Sequence, residues 1–311
     1  MKRAILFTVF SLAVLSLSAG NILYVKAGAH GDGSSWNNAF GDLQQALSSA
    51  QYGDQIWVAA GKYVPGGDRN VSFNIPDGVQ LFGGFAGHEN NVDERNWRSN
   101  LTILSGEIGS HSLEDNSYTV VYTKNVSAAT MVDGFVITGG VSNVTSAKGD
   151  KKRCGAGWFN DGSNGESNPT IVNCIFKNNY SRDGAGLYNF AQNGVASPSI
   201  KNCQFIANRA DLDGGAIYND GTAGKSSPTI ENCLFEQNEA TYGAGILNVG
   251  NRGEAMPLVI SCNFTGNISY IKESSIYNSL EEAGISEAIT KNCRFSDNNA
   301  SANKNEMAER K

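Results

Sequence analysis

From Cys154 onward, short runs of alternating apolar and polar residues begin again about every thirty positions. Three near-copies read SNPTIVNCIFKNN (167–179), SPSIKNCQFIAN (197–208) and SPTIENCLFEQN (227–238), with weaker copies at 256–267 and 288–298. Their cysteines, Cys174, Cys203, Cys233, Cys262 and Cys293, are 29, 30, 29 and 31 residues apart. A second motif interleaves with the first: GAGWFN (155–160), GAGLYN (184–189), GGAIYN (214–219), GAGILN (243–248) and SSIYN (274–278). Its asparagines, Asn160, Asn189, Asn219, Asn248 and Asn278, keep the same phase, 14 residues before the next cysteine four times and 15 once. A period of this length repeated five times marks a solenoid.

Apolar residues at every second position, bounded by Gly, Asn and Ser, predict strands. In I-x-N-C-x-F the Ile faces inward, the Asn makes a bend, and Cys and Phe face inward from the following strand. The pattern predicts three short strands per cycle and one cycle per coil. The fold class is therefore all-β: a single-stranded right-handed parallel β-helix with equivalent residues stacked about 4.8 Å apart. Phe176, Phe205, Phe235, Phe264 and Phe295 then form one interior stack. Asn173, Asn202, Asn232 and Asn292, with Ser261 in the fourth copy, form a ladder at the bend, where Asn tolerates a left-handed backbone.

The pattern extends back to Val132–Ile137 (VDGFVI), with Phe135 in the cysteine position. Earlier strands are predicted at 55–59, 79–85, 101–104 and 118–122. One helix is predicted at 42–50, from Phe40, Leu43, Leu47 and Ala50 at helical spacing. Such a helix covers the open N-terminal end of the solenoid.

Residues 1–20 read as a signal peptide: Lys2 and Arg3, an apolar run at 4–17, then Ser18-Ala19-Gly20. The expected organisation is a leader at 1–20, a β-helix at 21–299 (N-terminal cap 21–60, regular repeats about 132–298) and a polar tail at 300–311. The reading predicts a secreted or outer-membrane-surface protein, monomeric, with no transmembrane segment after leader cleavage. A net charge of −6 and the lack of any nucleic-acid-binding motif argue against a nucleic-acid partner.

The segments GGAI (214–217) and F-x-x-N (205–208 and 235–238) resemble the paired repeats of chlamydial-type polymorphic outer membrane proteins. The opening LYVKAGAHGDGSSWNNAFGDLQQAL, with GVQLFGGFAG and VDGFVITGG, is similar to a broad group of secreted bacterial parallel β-helix proteins in the pectin-lyase-like superfamily. Together the resemblance spans about 22–298. It implies an extracellular or surface location and adhesive or carbohydrate-related roles.

Five regularly spaced cysteines suggest neither a zinc site, which needs clustered ligands, nor a disulfide framework, because stacked neighbours stand slightly too far apart. They read as a ladder of buried thiols, with Cys154 outside it and more reactive. On the second motif, Trp158, Leu187, Ile217, Ile246 and Ile276 face inward. Phe159, Tyr188, Tyr218, Leu247 and Tyr277 therefore form an outer column, expected to meet solvent and to stack on a glycan. Lys148, Lys151, Lys152 and Arg153 lie in the longest insertion, since Phe135 and Cys174 are 39 residues apart, and Arg182 and Arg209 enter the same face from the next coils. This cationic rim suits a polysaccharide or cell-surface glycan bound without catalysis and without a cofactor.

Two alternatives stand beside that reading. An acidic-polysaccharide lyase uses the same face, with Asp183, Asp211 and Asp213 holding Ca²⁺ and Arg182, Arg209 or Lys151 taking the proton. A passive envelope repeat module needs no site at all. The three histidines, His30, His88 and His111, all precede the repeat array.

Overall fold

The computed structural model describes residues 20–110, 112–272 and 275–300. The expected leader, Gly20 apart, and the chain beyond residue 300 lie outside the described residues. The chain winds as a right-handed parallel β-helix whose longest sheet has nine strands, one per coil. The final described strand, Asn299–Ala300, pairs in parallel with Ile268–Lys272, so the solenoid reaches into the start of the expected polar tail.

One coil shows how the others are made. Thr170–Val172 belongs to the nine-stranded sheet, Ile175–Lys177 to an eight-stranded sheet, Tyr180–Asp183 to a six-stranded sheet and Leu187–Phe190 to a seven-stranded sheet. Ser199–Lys201 then restarts the cycle directly on Thr170–Val172. There are thus four strands per coil, one more than expected. The additional strand escapes a hydrophobicity reading because the space inside it admits only small residues. Its inward positions are Ser181, Ala210, Ala240 and Ser269, all buried, and bulges interrupt its pairing.

Left-handed positions recur four times in each regular coil, and two of them flank the stacked phenylalanine. At the first, Asn173, Asn202, Asn232, Ser261 and Asn292 have φ between +53° and +55°, as the motif predicts. A second lies two residues after each stacked Phe, at Asn178, Ala207, Gln237, Gly266 and Asp297. Ala207 and Gln237 are poor residues for this conformation, at a cost of roughly 1–2 kcal/mol each. The next residue in each coil offsets that cost.

Asn179, Asn208, Asn238 and Asn267 are fully buried, and each Nδ2 donates to the Oδ1 of the asparagine one coil on, at 2.9–3.0 Å. The same Nδ2 groups also reach a backbone carbonyl of the preceding coil, as Asn208 does with Phe176 at 2.9 Å. A second column runs from Asn160 through Asn189, Asn219 and Asn248, all buried, to the exposed Asn278, with amide contacts of 2.8–3.0 Å. A buried amide left unpaired costs about 1–3 kcal/mol, so both columns oblige neighbouring coils to keep register. The ladder expected at the first bend is much weaker: Asn202 Nδ2 reaches Asn173 Oδ1 only at 3.4 Å.

The core follows the predicted inward positions. Ile171, Ile200, Ile230 and Val259 stack in register, as do the phenylalanines, whose ring centroids stand 4.5–5.1 Å apart with planes within 14° of parallel. All six cysteines are free thiols. The ladder members donate weakly to strand carbonyls, Cys203 Sγ to Lys201 O at 3.3 Å for example, and burial pushes the Cys203 thiol well above its ordinary value.

Among the earlier strands, 55–59 is observed as Gln55–Ala59 and 79–85 as Gln80–Phe85. The strand expected at 101–104 is Thr102–Ser105, and that at 118–122 is displaced to Val121–Lys124. Tyr118 is instead stacked beneath Arg69, 4.2 Å from its ring, on the surface approach to the strand.

The helix is Leu43–Ser49, N-capped by the Asp42 side chain, which accepts from Gln44 N at 2.9 Å. Leu43, Ala46 and Leu47 close the first coil. At the other end Ile285, Ile289 and Phe295 are exposed, and nothing among the described residues covers them. No helix among the described residues is long and apolar enough to cross a membrane.

Two outcomes follow from this packing. Phe235→Ala should destabilise the protein by about 3–5 kcal/mol, the range for a buried ring. Phe295→Ala, whose ring is 51% exposed, should cost well under half as much, and equilibrium denaturant unfolding of both variants measures the difference. In timed thiol labelling, Cys293, the one partly exposed cysteine, should react first, with Cys174, Cys203, Cys233 and Cys262 protected until denaturation. The high reactivity expected of Cys154 is not what its surroundings allow. It is fully buried, and burial together with the nearby Asp183 carboxylate raises its pKa, so it too should stay protected.

Candidate functional site

The outer column forms in register, as expected. Tyr122, Phe159, Tyr188, Tyr218, Leu247 and Tyr277 sit at equivalent positions of the seven-stranded sheet. Its central rings do not meet solvent, however, while Tyr122 and Tyr277 at the two ends are half-buried. Phe159 is 2% exposed, and Tyr188 and Tyr218 are fully buried. The insertion at 143–153 folds back as an arm and covers them.

Lys148 lies over Tyr218, its Nζ 5.2 Å from the ring centroid, and donates to Tyr218 Oη and Asp213 Oδ2, each at 3.0 Å. Gly149, at φ +86°, rests against Phe190 so closely that a Cβ would fall 2.5 Å from the ring. The rings thus join Cys154, Leu247 and Val249 in a satellite core outside the solenoid wall. Sequence alternation places them correctly on the outer face but cannot report what lies over that face.

The basic residues are spent mainly on acidic ones. Arg153 Nε donates to Asp183 Oδ2 at 2.5 Å and its Nη1 to Ser146 O at 2.6 Å. Arg209 lies over the Tyr180 ring and pairs loosely with Asp211, which accepts from Tyr180 Oη at 2.7 Å. Arg182 Nε is buried without a partner. Lys151 Nζ donates to Asn70 O at 2.9 Å, away from the aspartates.

Asp183 is fully buried, and burial raises its carboxyl pKa against the opposing pull of Arg153 and Lys148. For Lys148 burial acts downward, but the Asp213, Asp183 and Asp220 carboxylates outweigh it and hold the amine protonated. Tyr188 Oη donates to Asp220 Oδ2 at 2.6 Å, and burial raises its pKa far above the ordinary tyrosine value. Asp183, Asp211 and Asp213 each have a different partner, and among the described residues no three acidic, His or Cys side chains converge as metal ligands do. The calcium-binding set of the lyase alternative is therefore not assembled by these three aspartates.

The arm does not reach the whole column. At Leu247, where neighbouring coils carry Tyr218 and Tyr277, the smaller side chain leaves a cavity of about 250 Å³. Leu247 and Val249 form its floor. Tyr242 and Tyr277, stacked with centroids 5.4 Å apart, form one wall. Lys148, Asp213 and Glu281 contribute the charged lining. A small apolar floor, an aromatic wall and a few convergent polar groups are the ordinary ingredients of a ligand pocket. Of the residues expected on this face, Leu247 and Tyr277 of the column, Lys148 of the basic segment and the metal candidate Asp213 line it, whereas Phe159, Tyr188, Tyr218, Lys151, Arg153, Arg182 and Arg209 do not. Tyr242 was missed because its strand was missed, whereas the replacement of Tyr by Leu in GAGILN was a visible signal.

No family model matches the chain, and no curated protein matches it. The likeness to polymorphic outer membrane protein repeats therefore rests on the motifs alone. Among solved structures the chain is similar to the crystal structure of pectate lyase Pel9A, with a TM-score of 0.50 and 14% sequence identity. The match covers 86% of this chain and 58% of that one, so the chain spans less than two thirds of the enzyme's length. At that identity the likeness shows the fold alone, a parallel β-helix.

Proposed function

We propose that the protein is a secreted β-helix that binds a saccharide without catalysis, taking one sugar ring into the cavity between Leu247 and the Tyr242–Tyr277 pair. The observation that carries this reading is the interruption of a covered aromatic column by a pocket with an aromatic wall and a charged rim. A pyranose ring has apolar faces that lie on aromatic rings and an edge of hydroxyls that pair with carboxylates and ammonium groups. Asp213, Glu281 and Lys148 supply those partners. Display outside the cell rests on the leader pattern at 1–20.

The reading is non-catalytic because Lys148 is held protonated by carboxylates, the wrong state for abstracting a proton. Lys151 has a pKa lowered by burial, opposed by Asp150 and assisted by Lys152, but it is committed to the Asn70 carbonyl.

A glycan array, with an absorbance assay for unsaturated products on each bound glycan, tests the proposal. Tyr242→Ala should weaken binding about two- to tenfold, the worth of one ring contact, with the melting temperature little changed. Unsaturated products would overturn the non-catalytic reading in favour of a lyase. Absence of binding across acidic and neutral glycans would leave only a passive structural module.

A further inference from the structure

The corner diagonally across the coil, between the nine- and eight-stranded sheets, carries a second concavity of about 500 Å³. It runs along the solenoid axis, lined by the bend residues Asn173, Asn202, Asn232 and Ser261 from four successive coils, with Trp97 and Arg98 beside them. The left-handed backbone explains why asparagine stands at this bend, but leaves open what the amides do. In the two interior columns every amide is engaged at 2.8–3.0 Å. Here Asn173 Nδ2 donates to Asp133 Oδ1 at 2.8 Å, Asn202 reaches Asn173 only at 3.4 Å, and the exposed Asn232 side chain has no hydrogen-bond partner among the described residues.

The segment leading into Trp97 is anchored at the head of this row. Asn96 N donates to Gly84 O at 2.8 Å, while Arg95 donates to Gly83 O at 3.0 Å and to Asp133 Oδ2 at 2.7 Å. The coil that carries this network has Gly134 where later coils have the bend asparagine, because Asp133 pairs with Val172. Gly134 is at φ +85°, and a Cβ there would stand 2.9 Å from the Trp97 Cβ and 2.7 Å from the Arg95 guanidinium. The missing side chain is what lets an indole occupy the first place in the row.

We infer that this row is a binding groove for an extended, uncharged polysaccharide lying along the solenoid axis. Amides and a hydroxyl, each both donor and acceptor, recur about every 4.8 Å. That interval is comparable to the advance per sugar in an extended chain, so successive sugars meet equivalent partners. Trp97 offers a ring face to the sugar at the head of the row. The bend residues carry no charge, the flanking Lys201 and Glu231 neutralise each other at 3.1 Å, and the Arg98 guanidinium lies 4.8 Å over the Trp97 ring. The groove shares no lining residue with the Tyr242–Tyr277 pocket and does not depend on it.

Affinity electrophoresis through gels containing hydroxyethylcellulose, laminarin or xyloglucan, with polygalacturonate as the charged control, tests this assignment. The wild-type protein should be retarded by at least one neutral glucan, with little change on adding salt. Trp97→Ala should weaken that retention about tenfold. The double change Asn202→Gly with Asn232→Gly keeps the left-handed bends available while deleting two amides, and should weaken retention severalfold. Melting temperatures of both variants confirm that the fold survives, and Tyr242→Ala should leave retention by the neutral glucan unchanged. The groove is refuted by a wild type that no neutral glucan retards, by retention equal in wild type and both groove variants, or by retention that salt abolishes. Retention lost with Tyr242→Ala but not with Trp97→Ala places the glycan in the pocket instead and equally refutes the groove.

Discussion

Every coil must return to its starting point one strand spacing along the axis, and the rest of the molecule depends on that closure. It places each residue against its counterpart in the neighbouring coils, so one side chain is never chosen alone. Flat rings suit such a column because they stack face to face, as Phe176 to Phe295 do. Carboxamides suit it because each carries both a donor and an acceptor and can serve the coils before and after it. The asparagine columns at 179–298 and 160–278 are therefore the registration device. A slip of one residue would leave a series of buried amides unpaired, at about 1–3 kcal/mol for each.

Closure also decides what happens outside the wall. The six-stranded sheet turns so tightly that it accepts only Ser and Ala inward, and its outer face collects Tyr180, Arg209 and Asp211. Beside it the seven-stranded sheet presents a second column of rings, which would be a large exposed apolar patch if left bare. The arm at 143–153 removes that patch from water and brings Lys148 and Arg153 onto Asp213 and Asp183. The Arg153–Asp183 pair holds the arm, while the Lys148–Asp213 pair both holds it and borders the pocket. What remains accessible is the gap at Leu247, at the arm's edge beside Lys148.

The two concave corners consequently differ in chemistry. One is charged, internally compensated and partly roofed; the other is a row of amides with a single indole at its head. Both arise from the same repeat. At the first corner an insertion folds over a regular column, while at the second a glycine within the column admits a residue from outside it.

Much of this architecture was legible in the sequence. The period, the inward Ile, Cys and Phe positions, the left-handed asparagines and the capping helix at Leu43–Ser49 all follow from residue type and spacing, because a solenoid converts sequence period directly into spatial stacking. The fourth strand was not legible, since Ser181 and Ala210 give no apolar alternation. Nor was the burial of Tyr188 and Tyr218, which depends on an arm dozens of residues away in the chain. Alternation assigns a side chain to a face of a sheet, and that much the local backbone decides. Whether the face meets water, an arm or a ligand depends on contacts between distant segments, and the tertiary structure alone decided it for the covered column, the Leu247 pocket and the Trp97 groove.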